Sequence, residues 1–145
     1  MLMTPPPVWL VCAAGVAQIV LAIVSLAIPR VLRWSEQTAT WRPLTRQVFW
    51  TYAGYIWFSN LSFGLLSAFL PASLIAATPL AAAVTGFVAL WWFARLVIQF
   101  AYFDRTDALS GIEYRAAEAA LVLLFAALTL IYGAASLANL YGATA

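Results

Sequence analysis

The feature that most constrains this chain is a long apolar run, residues 79–103, that contains a single charge, Arg95. About 20 apolar residues are enough for a helix to cross the hydrocarbon core of a bilayer, so the run predicts a membrane-spanning helix. An arginine side chain keeps its charge in a protein, and an arginine at the centre of a spanning helix costs about 2.5–3.5 kcal/mol. We therefore expect Arg95 to have a partner at the same depth in the membrane.

Composition extends this conclusion to the whole chain. Of the 145 residues, 66% are hydrophobic and 8% are charged, whereas soluble domains are about half apolar and about a quarter charged. The mean hydropathy is +0.95. The sequence predicts an all-α integral membrane protein, an antiparallel bundle of four transmembrane helices. We expect one membrane domain, residues 1–145, with spans at 8–28, 48–70, 79–103 and 111–140. The first run has no preceding positive charge, so we interpret it as a span rather than as a leader peptide.

Positive charges indicate how the spans are oriented. The connection 30–47 carries four arginines, Arg105 lies in the connection 104–110, and Arg115 follows at the start of the fourth span. Loops rich in arginine stay on the cytoplasmic side of a membrane. Both connections are therefore predicted to be cytoplasmic, and both termini are predicted to be exterior. We expect a multi-pass protein of the bacterial inner membrane.

The four arginines of the first connection form a candidate binding patch: Arg30, Arg33, Arg42 and Arg46. Trp34 and Trp41 lie between them, as is typical of aromatic residues at the level of the lipid headgroups. The patch suits either the anionic surface of the membrane or a docking partner. Seven positive charges scattered over the chain are too few for a nucleic-acid interface.

The residues that are missing exclude several chemistries within this chain. It contains no His and no Lys, and Cys12 is its one cysteine. Haem or metal ligation by His, Schiff-base chemistry and a Cys redox pair are therefore excluded. Asp104 and Asp107 are interpreted as solvated loop acids, so no metal site is expected. Nothing in the sequence indicates a catalytic site, and we favour a protein that is not an enzyme.

Glu118 is the predicted partner of Arg95. Ser110 and Glu113 match a capping box, which places the start of the fourth helix. Counting about 1.5 Å per residue, Arg95 and Glu118 lie at similar depths from the cytoplasmic side. The sequence predicts a buried cluster made of this ion pair and of three polar neighbours, Tyr52, Tyr55 and Gln99. The cluster either fixes the helix register or marks a substrate, headgroup or proton site.

The second span is the most polar, and it has two distinct faces. Helical spacing places Trp57 and Gly64 on one face, and it places a hydroxyl-bearing row on another: Tyr52, Tyr55, Ser59 and Ser62. Gly64 and Ala68 form a small-xxx-small pattern, which permits a second helix to approach closely.

Several aromatic residues lie near the middle of the spans rather than at their ends. They are Trp57, Trp91, Trp92 and Phe125. Such rings either fill the contacts between helices or line a flat pocket. A quinone, a carotenoid or a lipid tail would fit such a pocket, and the cofactor is otherwise unknown.

Few reactive groups, short connections and packing surfaces indicate a non-catalytic accessory subunit of a larger membrane protein complex. Its expected partners are membrane lipids and other membrane protein subunits, with no nucleic acid. The alternative is a small transporter, or a protein that binds lipid or quinone, which uses a cavity beside Arg95 and Glu118.

Overall fold

The structure is a computed structural model that describes residues 4–102 and 111–143, and all the regular structure in these two ranges is helical. The α-helices are α1 (Val8–Ser25), α2 (Ile28–Val31), α3 (Trp34–Gln37), α4 (Pro43–Phe69), α5 (Pro79–Ala101) and α6 (Ile112–Ala143), with a 3₁₀ turn at Ser73–Ile75. The predicted connection 104–110, with Ser110 of the capping box, lies outside the described residues.

Prolines set the starts of two long helices. Pro79 occupies the first turn of α5, where its missing N–H costs nothing, and the Thr78 hydroxyl accepts a hydrogen bond from the Ala81 amide at 3.1 Å. Pro43 opens α4 in the same way, so this helix begins five residues before the predicted Val48. Two single-turn helices also occur here: α2 extends from the predicted end of the first span into the connection 30–47, and α3 lies within that connection, where the sequence predicted only a loop.

Three helical segments are long and apolar enough to cross a membrane, namely Val8–Val31, Pro79–Ala101 and Ile112–Gly142. The chain is therefore a multi-pass membrane protein. Helix α4 has 27 residues, or about 40 Å at 1.5 Å per residue, which exceeds the hydrocarbon core of about 30 Å. It is not one of the three apolar segments, because its Tyr, Ser and Asn side chains make it more polar.

The chain divides into two compact units, Cys12–Leu70 and a second unit that joins Met1–Val11 to Pro71–Ala145. In the first unit, α1 and α4 pack closely around glycines. A Cβ atom added to Gly15 would overlap the backbone of Ala68. A Cβ atom added to Gly64 would lie 2.9 Å from the Ile19 side chain and 3.0 Å from its backbone nitrogen. This agrees with the small-xxx-small pattern read from the sequence.

In the second unit, α5 and α6 pack along matching stripes of buried residues. On α5 the buried residues are Ala81, Ala82, Thr85, Val88 and Trp92. On α6 they are Phe125, Leu128, Tyr132, Ala135, Ala138 and Asn139. Spacings of three and four residues keep each stripe on one face of its helix. The Ser136 hydroxyl crosses between the helices and donates to the Ala82 carbonyl at 2.9 Å.

Asn139 joins α6 to the connection that precedes α5. Its carboxamide nitrogen donates to the Leu74 carbonyl at 2.8 Å, and its oxygen accepts from the Ala77 amide at 3.0 Å. Ala77 has a positive φ of 53°, which is unfavourable for a residue other than glycine. Asn139 is 1% exposed, so its two hydrogen bonds replace contacts with water and hold this turn in place.

Candidate functional site

A polar contact between α5 and α6 lies at one end of their buried stripes. The Gln99 carboxamide donates a hydrogen bond to Glu118 Oε1 at 3.2 Å. Trp92 lies seven residues before Gln99 on α5, and Phe125 lies seven residues after Glu118 on α6. The rings of Trp92 and Phe125 stack with their centroids 5.2 Å apart. The two contacts follow the same helix register. Glu118 therefore faces Gln99 directly across the helix pair.

Arg95 lies one helical turn from Gln99 along α5. Its guanidinium carbon is 5.8 Å from the centroid of the Phe125 ring, which is within the range of a cation–π contact. Arg95 is exposed on the surface of the chain, while Gln99 and Glu118 are partly exposed. Arg95, Gln99 and Glu118 thus lie at the edge of the α5–α6 contact and not in its core. The pairing of Arg95 with Glu118 stays a prediction.

Tyr52 and Tyr55, the other predicted members of the cluster, lie on α4. Each side chain is 65% exposed, and both line a shallow groove on α4 with Gln47, Val48 and Thr51. They lie opposite the Gly64 face, which packs against α1. Their membership of a cluster with Arg95 stays a prediction.

The four aromatic residues proposed to contact a ligand have separate environments. Trp92 and Phe125 are 1% and 4% exposed and stack on each other, so these two rings fill the helix contact and do not line an open pocket. The Trp57 indole donates to the Ala22 carbonyl of α1 at 2.8 Å. Trp91 is partly exposed, with its ring centroid 6.4 Å from that of Phe87.

The arginine patch separates into two parts. Arg30 and Arg33 line an open cleft of about 500 Å³ together with Leu26, Pro29, Ser35, Glu36 and Trp50. Arg42 and Arg46 are exposed but do not line this cleft. Arg33 Nε lies 3.4 Å from Glu36 Oε2. The cleft thus combines two guanidinium groups, one carboxylate and an apolar wall.

Two features were not predicted from the sequence. The first is the Asn139 contact with the turn before α5, because an asparagine late in an apolar helix does not indicate which backbone groups it will meet. The second is the cleft, which includes Arg33, a residue with a left-handed backbone, φ 52°. That conformation is uncommon for arginine. It lets the chain change direction between α2 and α3.

Comparison of the chain with protein families, with curated proteins and with solved structures gives no match.

Proposed function

We propose that this chain is a four-span accessory subunit of a larger membrane protein complex, with both termini exterior, in the bacterial inner membrane. In this arrangement α4 also crosses the membrane, as the second of four spans in chain order, and the arginine-rich connection before it is cytoplasmic. The subunit is non-catalytic and packs against helices of other subunits.

The observation that carries the proposal is the position of Tyr55. This residue is next to the midpoint of α4, about 18 Å from its first residue at 1.5 Å per residue. Its side chain is 65% exposed, and within the compact unit Cys12–Leu70 its hydroxyl has no hydrogen-bond partner. A hydroxyl in the hydrocarbon region of a bilayer without a partner is costly. A helix of another subunit, packed on this face, supplies the partner.

The two serine hydroxyls of this face are already satisfied by α4 itself. Ser59 donates to the Tyr55 carbonyl at 2.9 Å, and Ser62 donates to the Phe58 carbonyl at 2.8 Å. These two residues are small, so a neighbouring helix can approach closely over them. The face therefore presents the two tyrosine hydroxyls of Tyr52 and Tyr55 beside small residues, which suits a protein neighbour better than lipid.

The test is mild isolation from the native membrane, followed by native mass spectrometry and an absorption spectrum of the same sample. We expect a complex of fixed stoichiometry. We also expect Tyr55→Phe, which removes only the hydroxyl, to lower the fraction of the chain found in the complex. Ser59→Ala is the matched control, because its hydroxyl is bonded within α4, and it should leave that fraction unchanged.

A monodisperse free chain without a stoichiometric partner would contradict the subunit proposal. Attention would then turn to the alternative, a small transporter or a lipid- or quinone-binding protein acting at Arg95 and Glu118. An absorption band from a co-purified quinone or carotenoid would favour that alternative.

A further inference from the structure

The cleft at the end of α1 lies where a lipid headgroup would be expected. Helix α1 and the turns that continue it to Val31 form one of the three segments apolar enough to cross a membrane. Leu26, Pro29 and Arg30 belong to the end of this segment and line the cleft. A cleft at the end of a spanning segment lies at the level of the lipid phosphates, and its volume of about 500 Å³ is typical of ligand sites.

The two arginines of the cleft are suited to a phosphate group. A guanidinium group presents several N–H donors in a planar fork that matches phosphate oxygens. Arg33 uses Nε toward Glu36 at 3.4 Å, and Arg30 makes one long contact, 3.4 Å, from Nη1 to the Leu26 carbonyl. Both guanidinium groups therefore keep further N–H donors for an anion.

Part of the lining of the cleft is apolar. It is formed by Leu26, Pro29 and Trp50. Trp50 is 38% exposed and is held by edge contacts with Trp34 and Phe49 at centroid distances of 6.0 and 5.8 Å. A free anion would use only the arginines of such a site. A ligand with a phosphate at one end and hydrocarbon at the other uses both the arginines and the apolar part.

We propose that this cleft binds one anionic phospholipid, with its phosphodiester held by Arg30 and Arg33 and its glycerol and upper acyl chains against Leu26, Pro29 and Trp50. The two arginines and Glu36 give the lining a net charge of +1, which complements a headgroup with a single negative charge. The Ser35 hydroxyl and the Glu36 carboxylate offer hydrogen bonds to a headgroup that carries hydroxyls, such as that of phosphatidylglycerol. This site depends on the bilayer and not on the proposed role as a subunit.

The experiment compares two double variants with equal loss of charge. The protein is reconstituted in nanodiscs of phosphatidylcholine with a small fraction of phosphatidylglycerol, and retained lipid is counted by native mass spectrometry. Diffuse attraction to an anionic surface contributes about fivefold for each arginine wherever it lies, so it would lower retention equally in both variants. We expect Arg30→Gln with Arg33→Gln to lose the retained phosphatidylglycerol, with at least tenfold lower occupancy than in Arg42→Gln with Arg46→Gln.

Two further measurements distinguish a phospholipid site from a site for a free anion and from attraction by charge alone. Arg30→Lys with Arg33→Lys keeps the charge but removes the planar forks, and we expect it to bind less phosphatidylglycerol than the wild type. Soluble glycerol phosphate should not displace the lipid, because it cannot use the apolar wall. Equal retention in the two glutamine variants, or full displacement by glycerol phosphate, would overturn the proposal. Matching circular dichroism spectra of the variants confirm that folding is unchanged.

Discussion

At the scale of single residues, Glu118 is an ionisable group within the membrane-spanning helices. It lies on α6, which is apolar enough to span a bilayer, and it accepts a hydrogen bond from Gln99 at 3.2 Å. A neutral carboxamide stabilises a carboxylate less than a cation does. Arg95 lies one turn from Gln99, and it is the cation expected to supply the remaining stabilisation of the Glu118 carboxylate.

The ion-pair prediction is tested by neutralising its two members singly and together. We expect Glu118→Gln to lower the free energy of unfolding by about 1–3 kcal/mol, because a charge in the membrane loses its counter-ion. Adding Arg95→Gln should recover part of this loss. Thermal unfolding in mild detergent measures both effects. Glu113→Gln, at an exposed position in the first turn of α6, is the control. A double variant no more stable than Glu118→Gln would contradict the pairing.

Asn139 allows a second prediction at this scale. Asn139→Leu removes two hydrogen bonds to backbone groups, and we expect a loss of stability of roughly 1–3 kcal/mol. Ser136→Ala removes one bond, to the Ala82 carbonyl, and should cost less, about 0.6–2 kcal/mol. The same unfolding assay compares them. Unchanged stability of Asn139→Leu would show that the Asn139 bonds do not stabilise the turn.

The sequence indicated that Gln99 and Glu118 belong to one cluster, but it did not indicate that Gln99 faces Glu118 directly. The depth of Arg95 was estimated from assumed ends of the helices. An uncertainty of a few residues at each end is enough to shift the register by one turn. Residue type identifies polar groups in apolar helices, whereas helix register decides which of them meet.

At the scale of elements, the two faces of α4 have different surroundings. One face contacts α1 through Gly64 and through the hydrogen bond from Trp57 to the Ala22 carbonyl. The opposite face presents Tyr52 and Tyr55, each 65% exposed. Helical periodicity in the sequence was sufficient to separate these faces. It could not tell which of them packs within the chain, because both contain small residues.

Two glycines of α4 provide a matched pair of substitutions. Gly64→Leu places a side chain against Ile19, where even a Cβ atom is 2.9 Å away, whereas a Cβ atom at Gly54 has nothing within 4 Å. We expect Gly64→Leu to destabilise the protein by about 1–3 kcal/mol through overpacking. Gly54→Leu should be neutral or stabilising, since leucine favours a helix more than glycine does. Similar melting temperatures for the two variants would contradict the close contact of α1 with α4.

At the scale of the whole molecule, composition alone was sufficient to identify a multi-pass helical membrane protein, and three segments have the required length and hydropathy. Whether the chain has four spans depends on whether α4 also crosses the membrane. The mean hydropathy of α4 is lower than that of the other spans, because this average includes its polar side chains regardless of the direction in which they point. A partner helix that satisfies Tyr55 would offset part of that cost.

The membrane crossing of α4 and the orientation of the chain are tested by labelling single cysteines. In a Cys12→Ser background, cysteine replaces Thr4, Thr40 or Ser73, which are all exposed. A maleimide that cannot cross membranes is added to intact cells. We expect labelling at positions 4 and 73, and labelling at position 40 only after permeabilisation, because α4 separates Thr40 from Ser73. Labelling of positions 40 and 73 from the same side would show that α4 does not cross.

The contact of α1 with α4 has a mechanical consequence. The Cys12 thiol approaches the Ala68 carbonyl at 3.5 Å, and the Trp57 indole reaches the Ala22 carbonyl at 2.8 Å. These two contacts are 11 residues apart on α4, or about 16 Å, with Gly64 between them. Contacts at both ends of such a length, with close packing at Gly64 between them, oppose a hinge motion of one helix against the other. A force applied to the exposed tyrosine face of α4 would therefore move α1 and α4 together as one rigid unit.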